Sequence, residues 1–253
     1  QRGPGAENAF PGAAQAFSDN VPILLLPGGS ETTRAYISAD FSSVENYRHV
    51  TKWAAQTNYV ERIPELMRRA FYQLRTGKGG PVLLEVPKDV FPAEFEGELD
   101  YTPVAGNKFG PDPAEASEIA SLLLKAKNLV IQAGQGCLYA ETWDELQELA
   151  ELLQAPVMTT MPGKSAFPEN HPLSVGTRGD HVVKYIEDAD LIFAIGASIS
   201  PGRFGHAELV RVHEPTWRLA VAMDFAVRLL RAMPADTPET HCVADALATV
   251  GAM

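Results

Sequence analysis

Four polar or glycine-rich turns follow apolar runs in this chain, and each has residue types that hold phosphate or ribose. Gly134-Gln-Gly136 follows the run Asn128–Ala133. Missing side chains there let an anion reach backbone N–H groups, as at the start of a dinucleotide-binding turn. Tyr139 stands where a full G-x-G-x-x-G has its third glycine, so a plain structural turn stays equally open. Gly176-Thr-Arg-Gly179 offers Arg178 in a similar setting. Gly196-Ala-Ser-Ile-Ser-Pro-Gly-Arg203 offers the hydroxyls of Ser198 and Ser200 and the bidentate fork of Arg203. Asp224 closes the run Leu219–Met223, where a carboxylate can accept from ribose hydroxyls. Taken singly, each reads equally well as an ordinary loop residue, and Lys164 as a solvated loop lysine. Near the start, Gly3-Pro-Gly-Ala-Glu-Asn8 precedes a helix, either as an anion-tolerant helix entry or as a tight turn capped by Asn8.

Other chemistries find little support. The six histidines form no H-x-x-x-H pattern, and no G-x-S-x-G elbow is present. Cys137 and Cys242 fit no metal or redox spacing and read as reduced cytosolic thiols, which places the protein in the cytoplasm. A formal net charge of −11 argues against nucleic acid, whose phosphates demand a basic face. No apolar run approaches the ~20 residues that span a bilayer. The opening Gln1-Arg2-Gly3 reads like the interior of a protein, and the expectation is a fragment.

The elements that must position these turns follow an α/β logic. Residues 6–18 read as a helix, and Val21–Leu26 as a buried strand stopped by Pro27-Gly28-Gly29. Residues 30–58 show no clear period. Ile63–Leu74 has helical spacing, and Pro81–Val86 is a second buried strand. From Phe91 to about Pro113 Pro, Glu, Gly and Asp dominate, as in a linker. A second series follows: helix 113–125, strand Asn128–Ala133, helix Glu141–Leu153, strand Pro156–Thr160, helix His181–Ile186 and strand Asp190–Ile195. Beyond it come strand Leu219–Met223, a short strand at Cys242-Val243 and a helix over Asp245–Val250. Repeated βα units of this kind predict a doubly wound parallel sheet whose strand-end loops face one crevice.

Several stretches carry a family resemblance. Gly3-Pro-Gly-Ala-Glu-Asn8 with Ala16-Phe-Ser-Asp-Asn-Val-Pro22 resembles the G-P-G-x-x-N…A-x-x-D-x-x-P stretch of the acetolactate synthase-like thiamine-diphosphate enzymes. Gly79–Val90 is similar to the closing strand of their pyrimidine-binding domain. Ala133-Gly-Gln-Gly136, Ala155–Pro172, Ala189–Gly196 and Asp224 resemble their central domain, and Cys242-Val-Ala-Asp-Ala246 its final segment.

The resemblance implies two parallel-sheet units. Residues 1–90 would be part of a pyrimidine-binding domain, 91–113 a linker, and 114–253 a Rossmann-like central domain. It implies thiamine diphosphate and Mg in the complete enzyme, where the cofactor supplies the electron sink for 2-keto acid decarboxylation and carboligation. The family's cofactor-polarising glutamate lies upstream of the G-P-G segment and its Mg-diphosphate motif downstream, so this chain alone is expected to be inactive, with no catalytic or metal-binding residue of its own. Thr51-Lys52 is present, but Ser38–Ser43 has no F-Q-E, which leaves the substrate open. Carried over, cofactor contacts fall on Asn8 and, for FAD in the central domain, on Gly134, Gly136, Thr160, Met161, Gly176, Arg178, Gly196, Arg203 and Asp224. Some relatives keep this domain without a nucleotide. The partners expected are further copies of the chain or a diphosphate-binding domain or subunit. The rival reading is a non-enzymatic nucleotide-binding or assembly module.

Overall fold

Every strand pair among the described residues is parallel, in two separate sheets. The computed structural model describes residues 2–197, apart from 36, 38, 39, 104 and 107–111. The elements expected beyond residue 197, together with Ser198, Ser200, Arg203 and Asp224, lie outside the described residues. The chain divides into two compact units, Gln1–Phe109 and Gly110–Met253.

In the first unit, β4 (Val82–Pro87) is the centre. Val82, Leu83 and Leu84 are buried, as befits a strand covered on both faces, and each such side chain contributes about 1.5–3 kcal/mol. On one side β4 pairs with β1 (Leu24–Leu25) and then with β2 (Gly28–Gly29). Pro27 and the two glycines therefore interrupt the expected strand without stopping it. Pro27 lacks an N–H, but its carbonyl still accepts from Val86, so pairing resumes. On the other side lies β3 (Trp53–Gln56), which has no legible period because all four residues are half-buried.

Helix α1 (Pro4–Ser18) starts two residues earlier than its apolar pattern. Pro4, with φ pre-set, enters the first turn after Gly3 at φ +55. Asn8 thus lies inside the helix rather than capping it. Ala6, Ala13 and Ala16 are buried, and the hydroxyl of buried Tyr47, from α2 (Ser43–Tyr47), donates to the Ala6 carbonyl. Helix α3 (Ile63–Arg75) buries Leu66 and Ala70. The Lys52 ammonium donates to the Gln73 and Thr76 carbonyls, closing the end of α3 where orphan carbonyls accumulate.

The second unit is a sheet of order β7-β6-β5-β8. Its strands are β5 (Leu129–Ala133), β6 (Val157–Thr159), β7 (Ser174–Gly176) and β8 (Leu191–Ile195). The alternating side chains of β5 divide the core. Leu129, Ile131 and Ala133 meet Leu123 of α4 (Pro113–Lys125) and Leu146 and Leu149 of α6 (Trp143–Leu153). Val130 instead faces Val182 and Ile186 of α7 (Asp180–Asp188), together with Met158. Helices cover both faces, so the sheet is doubly wound. In this unit one helix has no counterpart in the sequence pattern: α5 (Gln135–Tyr139) opens directly on β5 and takes Gly136 into its first turn.

Candidate functional site

In an open α/β sheet, ligands bind beyond the carboxyl ends of the strands, where the strand order reverses. The order β7-β6-β5-β8 puts that reversal between β5 and β8. The loops there are Gly134-Gln135-Gly136 and Gly196-Ala197, and they lie backbone on backbone. The Gly134 N–H donates to the Ile195 carbonyl at 2.8 Å and the Gly136 N–H to the Gly196 carbonyl at 2.9 Å. A Cβ on Gly134 would strike the Gly196 carbonyl, and one on Gly136 would sit 2.6 Å from the Gly196 Cα. Gly196 itself has φ +57, and its Cβ would lie 2.7 Å from the Cys137 nitrogen. These glycines are required by close packing of two loops, and the space their missing side chains leave is already filled by protein.

The loop after β6 joins the same packing. The Thr160 N–H donates to the Ala133 carbonyl at 2.9 Å, and the Thr160 hydroxyl accepts from the Gly163 N–H at 3.1 Å. A Cβ on Gly163 would lie 2.6 Å from the Gly134 carbonyl carbon. Gly163 thus belongs with Gly134, Gly136 and Gly196, although nothing in its Pro-Gly-Lys context marks it. Met161 is exposed, and Lys164 forms an exposed ion pair with Glu169 at 3.4 Å.

Further along, Ala166 and Phe167 are buried in the core under the loop. His171 fixes the loop's end, with Nδ1 accepting from the Leu173 N–H at 3.2 Å and Nε2 lying 3.1 Å from Glu151. An imidazole whose Nδ1 accepts must carry its proton on Nε2, so it donates to Glu151. Gln147 and His171 together hold the Glu151 carboxyl below its ordinary range. A groove of about 390 Å³ opens between α6 and this loop, lined by Trp143, Asp144, Gln147, Ser165, Pro168 and Glu169.

The turn after β7 differs. Gly176 has φ +88, and nothing lies within 4 Å of where its Cβ would stand. Thr177 shares a 3.1 Å hydroxyl contact with Thr159, while Arg178 is exposed. Gly179, at φ +123, gives α7 no capping side chain. Of the expected contacts in this unit, Gly134, Gly136, Thr160 and Gly196 come together in one packed cluster, while Gly176 and Arg178 border open space. Arg203 and Asp224 lie outside the described residues.

The first unit has its own polar centre at the carboxyl end of β4. Glu85 is buried and accepts from the Ser43 N–H at 2.9 Å and the Gln56 side chain at 2.7 Å. It lies against Gly29, where a Cβ would come within 2.8 Å of its Oε1. No short sequence pattern announces this cluster, because Gly29, Ser43, Gln56 and Glu85 lie far apart in the chain and meet only through folding. Asn8 stands exposed on α1. Among the described residues no group of three or more His, Cys, Asp or Glu is arranged to hold a metal ion, and no helix is long and apolar enough to cross a membrane.

Among the described residues, the one contact expected for thiamine diphosphate is Asn8, an exposed amide on α1, and one amide does not by itself make a site for that group. The G-Q-G turn does not fit a dinucleotide diphosphate either, since its cradle is occupied by the β8 loop.

The family described as "Thiamine pyrophosphate enzyme, central domain" matches residues 116–249. The chain is 34% identical over 210 residues to the probable acetolactate synthase large subunit of Methanocaldococcus jannaschii, covering 78% of this chain and 36% of that protein. It is 32% identical over 217 residues to the acetolactate synthase isozyme 1 large subunit of Escherichia coli, covering 81% and 38%. In structure it is similar to the benzoylformate decarboxylase of Polynucleobacter necessarius, with a TM-score of 0.68 and 26% identity over 78% of this chain and 38% of that one. The chain thus spans little more than a third of these relatives' length.

Proposed function

This chain belongs to the thiamine pyrophosphate enzymes, and we propose that it is a portion of an acetolactate synthase-like member acting in 2-keto acid decarboxylation and carboligation. Residues 1–90 form the later half of a pyrimidine-binding domain, 91–113 the linker, and 114–253 the central domain. The observation that carries this reading is the similarity to acetolactate synthase large subunits over 210 residues, a span too long for the central domain alone. In the complete enzyme, thiamine diphosphate with Mg supplies the electron sink. What this chain contributes is scaffold: Glu85 and Lys52 order the first unit, and the packed glycine loops order the second.

Taken alone, the chain does not turn over. With thiamine diphosphate, Mg²⁺ and pyruvate added, purified chain is expected to release no CO₂ at stoichiometric concentration. Sustained release would overturn inactivity. Supplying a diphosphate-binding subunit and recovering activity would support the split-enzyme form of the proposal. Self-association follows from exposed Leu26 beside the short strands β1 and β2, and a clean monomer at high concentration in sizing experiments would count against it.

A second reading, a nucleotide-binding module of FAD type, is favoured by the turn after β7, where Gly176 borders open space and Arg178 is exposed. A flavin absorbance band near ~450 nm in purified protein supports it.

A further inference from the structure

The groove between α6 and the loop after β6 contains none of the expected cofactor contacts. Its volume of about 390 Å³ falls within the range of small-ligand clefts, about 300–1,000 Å³. Ala166 and Phe167 line it from below, and both are buried in the core, so that side of the groove is fixed. Trp143, Asp144, Pro168 and Glu169 line it from the surface, and all four are exposed. Trp143 keeps 43% of its surface in solvent, although Leu146 and Leu149 of the same helix are fully buried. Tryptophan is enriched among the residues that anchor protein interfaces.

The charge around this groove has one sign. Residues 128–163 carry Glu141, Asp144, Glu145, Glu148 and Glu151 and no Lys, Arg or His. All five carboxylates lie on α6 or just before it. Lys164, the next cation along the chain, is held by Glu169 at 3.4 Å, and a pair this exposed is weak enough to exchange. The first unit answers its own rings and carboxylates with internal cations. Arg69 stands 5.3 Å from the centroid of the Trp53 ring, and Arg62 pairs with Glu65. Among the described residues Trp143 has no cation over its ring and Asp144 no ion pair, and the two sit side by side on one groove.

We propose that this groove docks an arginine side chain carried on a basic segment of a partner protein. A planar guanidinium stacks on an indole ring and presents a fork of N–H groups to a carboxylate, so Trp143 and Asp144 together suit it. An ammonium is more strongly hydrated and has no plane to stack, which favours arginine over lysine. The guanidinium lies against Trp143 and donates to Asp144, and its aliphatic stem runs over Phe167 and Pro168. Glu169 exchanges Lys164 for the incoming cation. The acidic surface of α6 draws the segment in before contact.

The test is fluorescence anisotropy of the full chain titrated with a labelled Gly-Arg-Gly-Arg-Gly peptide, with its Lys and citrulline counterparts and unlabelled arginine amide as competitors. The arginine peptide is expected to bind, the lysine peptide more weakly and the citrulline peptide not at all. Trp143→Ala and Asp144→Asn should each weaken the arginine peptide about fivefold. Asp188→Asn, which removes the same charge from α7, should leave it unchanged. Lys164→Ala frees Glu169 and should tighten binding about twofold, a gain that a merely structural role would not produce. Thermal melts check that each variant is folded, and Asp144→Asn carries the test if Trp143→Ala is not. Absence of arginine-peptide binding overturns the proposal, as does binding that Asp144→Asn retains in full. Lysine peptide as tight as arginine peptide reduces the groove to a charged surface and overturns the guanidinium contact. Arginine amide as tight as the peptide makes the occupant a free small cation and overturns docking of a segment.

Discussion

The two parallel sheets solve the same problem at their carboxyl edges in opposite ways. Strand ends there leave several loops converging, and something must hold them. In the first unit a buried carboxylate does it: Glu85 accepts from the N–H of Ser43 on α2 and from Gln56 on β3, and Gly29 on β2 makes room. In the second unit the described residues use nothing charged there. Gly134, Gly136, Gly163 and Gly196 let three loops touch through their backbones. The first device depends on acceptor chemistry and tolerates small shifts of a side chain. The second depends on the absence of atoms, and backbone cannot yield as a carboxylate can.

The largest expected effect follows from that contrast. Gly196→Val places a β-branched residue at φ +57 and against the Cys137 backbone, and should cost about 3 kcal/mol or more. Gly29→Ala, pressed first against the Glu85 side chain, should cost about 1–2 kcal/mol. Urea unfolding of the full chain, with amide exchange read separately on β5 and β4, measures both. Equal costs would erase the distinction between the two edges.

A middle-sized effect tests the carboxylate. Glu85→Gln presents an amide N–H₂ to a donor that needs an acceptor, and should cost about 1–3 kcal/mol. Adding Gln56→Glu restores an acceptor opposite a donor, so the double variant should recover part of that loss in a mutant cycle. Strict additivity of the two substitutions would show that Glu85 and Gln56 do not act as a pair.

The smallest effect is a pH dependence peculiar to the second unit. Burial pushes the Cys137 thiol above its usual value, its weak hydrogen bonds lowering it less. A thiol raised in the folded state stays protonated after the unfolded chain has begun to ionise. Its stabilising share is therefore whole below about pH 9 and shrinks as pH rises through that value towards the folded one. Cys137→Ala should flatten this alkaline decline. Lys52 in the first unit has the opposite sign: burial lowers its pKa, so its share of stability grows as pH rises through the folded value towards the ordinary lysine range. An alkaline decline unchanged by Cys137→Ala would remove the thiol from the account.

Much of this was legible in the chain. Runs such as Val82–Pro87 and Leu129–Ala133, apolar on both faces, marked buried parallel strands, and the spacing in α3, α6 and α7 marked amphipathic helices. The strands β3 and β7 were missed for one reason. They are short and half-buried, so neither face imposes a pattern. The early start of α1 and the short helix α5 were missed because glycine and proline usually signal turns, and here Pro4 and Gly136 lie inside helices.

The sequence by itself determined the α/β class, the parallel strands and the family, because these rest on local periodicity and contiguous words. Only the tertiary structure decided what the glycines are for. Gly134, Gly163 and Gly196 lie far apart in the chain, and whether a missing side chain leaves room for a phosphate or for another loop depends on what folding brings opposite it. The same holds for Gln132 and Glu85. Each is an unremarkable polar residue in a strand until burial sets the cost of leaving its oxygens unpaired.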